Sequence, residues 1–97
     1  MSRPSLMNEN EIQYQMQSLP LWERQNDSII RYFAPNNFVS AIGLINAVAI
    51  IAESIDHHPN IELKNWNKIK IESSTHDKGG LTRLDFELAH KIESLSF

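Results

Sequence analysis

Two prolines, Pro35 and Pro59, bracket the segment that most limits how this chain can fold. Pro35-Asn36-Asn37 supplies turn chemistry, and Asn36 or Asn37 can accept the free amides of a helix start. His58 precedes Pro59 and is pushed out of the α region, so a helix beginning near Asn37 runs to about His57. Within it Phe38, Ile42, Ile45, Val48 or Ala49, and Ala52 make one apolar stripe. Val39, Leu44, Ala47, Ile50 and Ile51 lie off that stripe. A helix apolar on most of its circumference has more than one face to bury. A sheet covers one face, and a second subunit is expected to cover the other.

The flanking segments supply that sheet. Residues 1–7 read as a loose tail, and Asn8 with Glu11 forms a capping pair for a short helix carrying Ile12, Met16 and Leu19. Pro20 ends it. Leu21–Arg24 and Ile29–Phe33 read as strands joined by the turn residues Gln25 to Ser28. After Pro59, Ile61–Lys64 is a third strand and Asn65-Trp66-Asn67 a turn. Lys68–Ser74 alternates, with Ile69 and Ile71 on one side and Lys68, Lys70 and Glu72 on the other. Asp77 to Gly80 is a loop, and Thr82 with Asp85 caps a last helix whose apolar face is Leu84, Leu88, Ile92 and Leu95. The order is α-β-β-α-β-β-α. An α+β fold satisfies it: one four-stranded antiparallel sheet with three helices on one face, as one domain over 1–97.

The 97 residues limit the core, so self-association is a natural supplement. A net charge of −3 with scattered Lys and Arg argues against direct nucleic-acid binding. The absence of cysteine removes disulfides, thiolate chemistry and Cys-based zinc sites, and suits a reducing, cytoplasmic setting. Ala41–Ala52, the longest apolar stretch, is too short to cross a bilayer, and Met1–Arg3 is followed by no signal-like apolar run.

Histidine gives and takes protons near neutral pH, and three of the four histidines stand in one spaced set. Glu53 and His57 are four apart, so on a continuous helix they share a face. His57 falls at the helix end, where the dipole favours its charged form. His58, extended before Pro59, points elsewhere. His76 closes the alternating strand beside the hydroxyls of Ser74 and Thr75.

The run Glu53-xxx-His57-His58-Pro59, six residues, Trp66, nine residues, His76, eight residues, Asp85 resembles the pterin-4a-carbinolamine dehydratase family without a gap. The resemblance covers about residues 11–95. Pro35, Ile42, Leu44 and Ala47 depart from the residues common in that family. The resemblance implies a hydro-lyase that converts 4a-hydroxytetrahydrobiopterin to quinonoid dihydropterin, in support of tetrahydrobiopterin recycling. It implies His57, His58 and His76 as catalytic residues, with His57 and His76 as the principal acid/base pair. Asp56, Ser74, Thr75 and Asp77 match positions that contact the pterin, together with those histidines. Glu53, Pro59, Trp66 and Asp85 are expected behind them: Glu53 as support, Pro59 as the helix stop, Trp66 in packing or as a wall of the site, Asp85 mainly as a cap. The pterin is substrate, so no cofactor and no metal are expected. The implied partners are further copies of this chain, as a homodimer or homotetramer, and an aromatic amino acid hydroxylase as functional partner. A non-catalytic reading stands beside this one, since animal relatives also act as a dimerisation cofactor for a homeodomain transcription factor. A pterin-sensing regulator is its variant.

Overall fold

The computed structural model describes residues 4–95. It contains α1 (Glu9–Met16), β1 (Trp22–Gln25), β2 (Ser28–Phe33), α2 (Phe38–Ser54), β3 (Asn60–Lys64), β4 (Lys68–Ser73) and α3 (Arg83–Glu93), with a short 3₁₀ turn at His76–Lys78. The expected α+β architecture is the observed one. The four strands are antiparallel in the order β1-β2-β4-β3.

The pairing register decides which side chains share a face. Ile29 lies opposite Ser73, Arg31 opposite Ile71, and Phe33 opposite Ile69. Ile61 and Leu63 of β3 extend the same rows. One continuous core joins Ile29, Ile69 and Ile71 of the sheet to Ile12 of α1, Ala41, Leu44, Val48 and Ala52 of α2, and Phe86, Leu88, Ala89 and Ile92 of α3. The helices therefore cover one face. Burying each large aliphatic side chain there contributes about 1.5–3 kcal/mol. Ser73 is the polar member of the β4 row and is fully buried, a position that matters for the site below.

The ends of the helices follow the sequence closely, with two corrections. Asn8–Glu11 and Thr82–Asp85 are both reciprocal capping boxes, and Asn37 caps α2. However, α2 stops at Ser54 rather than near His57. Asp56 adopts a left-handed conformation at φ 52°, His57 N–H donates to the Ala52 carbonyl (3.0 Å) and Asp56 N–H to that of Glu53 (3.2 Å). These two bonds form a Schellman ending, with aspartate where glycine is usual. Leu44 also differs from its expected outward position: it is buried in the core, while Phe38, Val39, Ile42 and Ile50 are the exposed large apolar residues of α2. An ideal 100° step places Val39, Ile42 and Ile50 on one side and Leu44 with Val48 on the other.

The expected tail at 1–7 falls partly outside the described residues. Within them, Met7 donates its amide to the Leu81 carbonyl (2.9 Å) and packs on the core. At the other end, Glu93 of α3 accepts from Trp22 Nε1 (3.0 Å) and Arg31 Nε (2.9 Å), fixing α3 across β1 and β2. That anchorage sets where the start of α3, and Asp85, meets the end of β4.

Candidate active site

The Schellman ending of α2 turns the chain so that adjacent histidines diverge. His57 folds inward and is buried; His58 remains outside, its side chain 60% exposed. The second approach comes from β4. Past Ser73 the chain passes Ser74 and Thr75 and closes a tight loop, with Thr75 N–H donating to the Gly80 carbonyl (2.9 Å). Gly79 supplies the left-handed residue, at φ 69°, that this loop requires. The loop holds His76 exposed at the mouth.

Asp56, His57, His58, Ser74, Thr75, His76 and Asp77 line one open cavity of about 340 Å³. Every lining side chain is polar or titratable, and the size suits a small ring system. The two lining segments are far apart in sequence and joined only by the fold. A larger cavity, of about 680 Å³, lies against Arg31, Phe33, Pro35, Leu44 and Ala47. Its cation, Arg31, is already bonded to Glu93, and no histidine reaches it. The smaller cavity is therefore the one equipped for proton transfer.

Beneath its floor lies a closed polar network. His57 Nε2 lies 2.7 Å from Asp85 Oδ1, and Ser73 Oγ donates to the same oxygen (2.6 Å). Asp85 Oδ2 accepts from Thr75 Oγ1 (2.8 Å) and from the Thr82 amide (2.9 Å). Thr82 Oγ1 lies 2.8 Å from Thr75 Oγ1. Burial raises the Asp85 pKa, but hydrogen bonds from His57, Ser73, Thr82 and Thr75 outweigh it, and the carboxyl lies below the ordinary aspartate range. Asp85 is thus a buried anion satisfied on both oxygens. Being a helix cap accounts for only one of its four bonds.

The expected residues are accordingly distributed over the site and beyond it. Seven line the cavity. Glu53 does not support His57, as four-residue spacing suggested, because the helix ends before the second residue. Glu53 reaches His58 instead, at 2.8 Å from Oε1 to Nε2. Thr75 borders the cavity, but its hydroxyl is engaged with Asp85 and Thr82. Pro59 is half-buried where β3 begins. Trp66 is not a wall of the cavity: it lies in the β3–β4 turn, 55% exposed, at the opposite end of β4, a strand about 20 Å long. Ser73 was not singled out from the sequence; its signal was a hydroxyl at the third inward position of the Ile69-Ile71 row. Among the described residues no group of three or more His, Asp or Glu side chains converges as a metal-binding set. No described helix is long and apolar enough to cross a membrane.

Comparison with known proteins bears on this geometry. Residues 5–95 match the family model described as Pterin 4 alpha carbinolamine dehydratase. A curated relative from Picosynechococcus, named "Putative pterin-4-alpha-carbinolamine dehydratase", is 40% identical over 92% of this chain and 96% of its own. A relative of the same name from Roseiflexus castenholzii is 41% identical over 94% and 97%. Among solved structures, a transcriptional coactivator/pterin dehydratase from Brucella melitensis superposes with a TM-score of 0.86 at 28% identity, covering 93% of this chain and 97% of that one. A pterin dehydratase-like protein, described as a RuBisCO assembly factor in the alpha-carboxysome, shares the fold at a TM-score of 0.61 and 16% identity, over 75% and 83%.

Proposed function

This chain belongs to the pterin-4a-carbinolamine dehydratase family, and from that premise we propose that it dehydrates 4a-hydroxytetrahydropterins in the histidine cavity. The observation that carries the proposal is the convergence of His57, His58 and His76, from two remote segments, on one polar cavity.

The chemistry needs one proton in and one out. The 4a-hydroxyl leaves as water once protonated, taking the C4a–O electron pair with it. N5 gives up its hydrogen, and the freed pair forms the C4a=N5 double bond of the quinonoid product. Histidines perform both transfers near neutral pH, each contributing about 10²–10⁴-fold. His57 serves from the buried floor and His76 from the mouth. His58, held by Glu53, orients the ring or assists transfer. Asp56, Ser74 and Asp77 offer polar contacts to the pterin rim. The pterin is the substrate, and no cofactor or metal enters this scheme. The natural source of substrate on this reading is an aromatic amino acid hydroxylase that releases the carbinolamine.

We also propose that a second copy covers the exposed side of α2, giving a homodimer or homotetramer. Val39 is 80% and Ile50 72% exposed, with Ile42 between them on the same side. An apolar stripe of this kind is commonly closed by symmetric self-association.

The test is turnover: stopped-flow decay of enzymatically generated 4a-carbinolamine with and without the protein. A protein that binds pterin or a partner but leaves that decay at its spontaneous rate is a regulator or binding cofactor instead.

A further inference from the structure

We infer that Asp85 is a positioning residue that commits His57 Nε2 to the protein interior, so that His57 exchanges protons with the pterin only through Nδ1. The substrate in this statement rests on the dehydratase reading; the geometry does not.

The hydrogen-bond inventory of Asp85 leads there. Its Oδ1 faces His57 Nε2 and the Ser73 hydroxyl, and its Oδ2 faces the Thr75 hydroxyl and the Thr82 amide. The group is fully buried and ionised, so it has no hydrogen to give. The proton between Asp85 and His57 therefore belongs to Nε2. Nδ1 makes no hydrogen bond among the described residues, yet no buried side-chain nitrogen or oxygen lacks a partner. Nδ1 is thus open at the cavity that His57 lines. A neutral ring presents a lone pair there, and a charged ring presents a proton. If Nδ1 takes the N5 proton, the N5–H pair becomes the C4a=N5 bond. If it gives a proton to the 4a-oxygen, the C4a–O pair departs with water. In either direction the Nε2 proton stays on its nitrogen, and His57 needs no reorientation between steps.

The donors around Asp85 make one substitution diagnostic. In Asp85→Asn the Thr82 amide cannot reverse its polarity, so the asparagine oxygen must occupy the Oδ2 position. Its NH₂ then sits at the Oδ1 position, facing His57 Nε2. The Ser73 hydroxyl can rotate to accept; the ring nitrogen can accept only by losing its proton. The His57 proton moves to Nδ1, and the cavity meets a donor where the neutral ring had offered a lone pair.

The experiment is two-bond ¹H–¹⁵N correlation spectroscopy of the ¹⁵N-histidine-labelled protein without substrate, at a pH where the ring is neutral. The wild type is expected to show His57 protonated at Nε2 and bare at Nδ1. Asp85→Asn is expected to show the reverse, and Ser73→Ala the wild-type pattern. Turnover of carbinolamine by Asp85→Asn is expected to fall at least about tenfold in kcat, with KM near its wild-type value. A purely capping role for Asp85 leaves the His57 tautomer unchanged in Asp85→Asn, and that result overturns the inference. Should Asp85→Asn fail to fold, the wild-type and Ser73→Ala spectra decide: an Nδ1-protonated or mixed His57 in either overturns it. A fixed tautomer that switches as described, in a protein without turnover, supports the positioning role and overturns only the dehydratase reading.

Discussion

His57 and Asp85, 28 positions apart, meet in the interior with 2.7 Å between Nε2 and Oδ1. The contact joins the turn after α2 to the first turn of α3, so it links the candidate site to the stability of the fold.

That link has an acid signature. The Asp85 carboxyl lies below the ordinary aspartate range in the folded protein. A group depressed in this way stabilises the fold above its unfolded pKa of about 3.9, and the contribution is lost as pH falls through the lower folded value. Urea unfolding midpoints of the wild type are expected to drop below about pH 4 more steeply than those of Asp85→Asn. At neutral pH the variant is expected to be less stable by about 1–3 kcal/mol, through its mismatched buried bonds. Parallel acid profiles contradict this account.

Asp56 separates stability from binding. At φ 52° a non-glycine residue carries about 1–2 kcal/mol of strain. Asp56→Gly is expected to keep or raise stability, by up to about 1 kcal/mol, while weakening binding of a dihydropterin measured by titration. Asp56→Ala is expected to weaken both. A Gly variant that loses stability contradicts the strain assignment.

The α2 surface predicts assembly. Val39→Glu or Ile50→Glu is expected to shift the protein to smaller species by light scattering, with helix content retained. Leu44→Glu places a charge in the core and is expected to cost several kcal/mol and to prevent folding. A wild type that is monomeric at tens of micromolar contradicts the assembly, and leaves the chemistry standing.

Turnover is expected to survive exhaustive chelation unchanged. Loss of activity on chelation, restored by one divalent ion per chain, contradicts a scheme run by histidines alone.

Much of this was legible in the sequence because it is local. Capping boxes need only Asn8 with Glu11 and Thr82 with Asp85, and the β4 alternation needs only Ile69 and Ile71. The order of elements along the chain also followed from periodicity and turn residues, whereas the grouping of residues around the histidines came from the family resemblance. Three features were not legible. The partner of His57 depended on where α2 ends, and that ending turns on aspartate adopting a conformation usually left to glycine. Trp66 was tied to the site by sequence spacing, whereas the β3–β4 hairpin carries it to the far end of the sheet. Leu44 was misplaced because a helix apolar nearly all round offers no contrast to show which side faces in.

The central claim is that the cavity dehydrates a pterin carbinolamine through its histidines. Single-turnover decay of 4a-hydroxytetrahydropterin, followed for wild type, His57→Ala and His76→Ala at equal folded concentration, tests it most directly. The account predicts marked acceleration by the wild type, with kcat/KM lower by about ten- to a hundredfold or more in each variant, equivalent to about 1.4–3 kcal/mol of lost transition-state stabilisation. Wild-type kcat/KM in both variants, or a wild type that leaves the spontaneous decay unchanged, contradicts it.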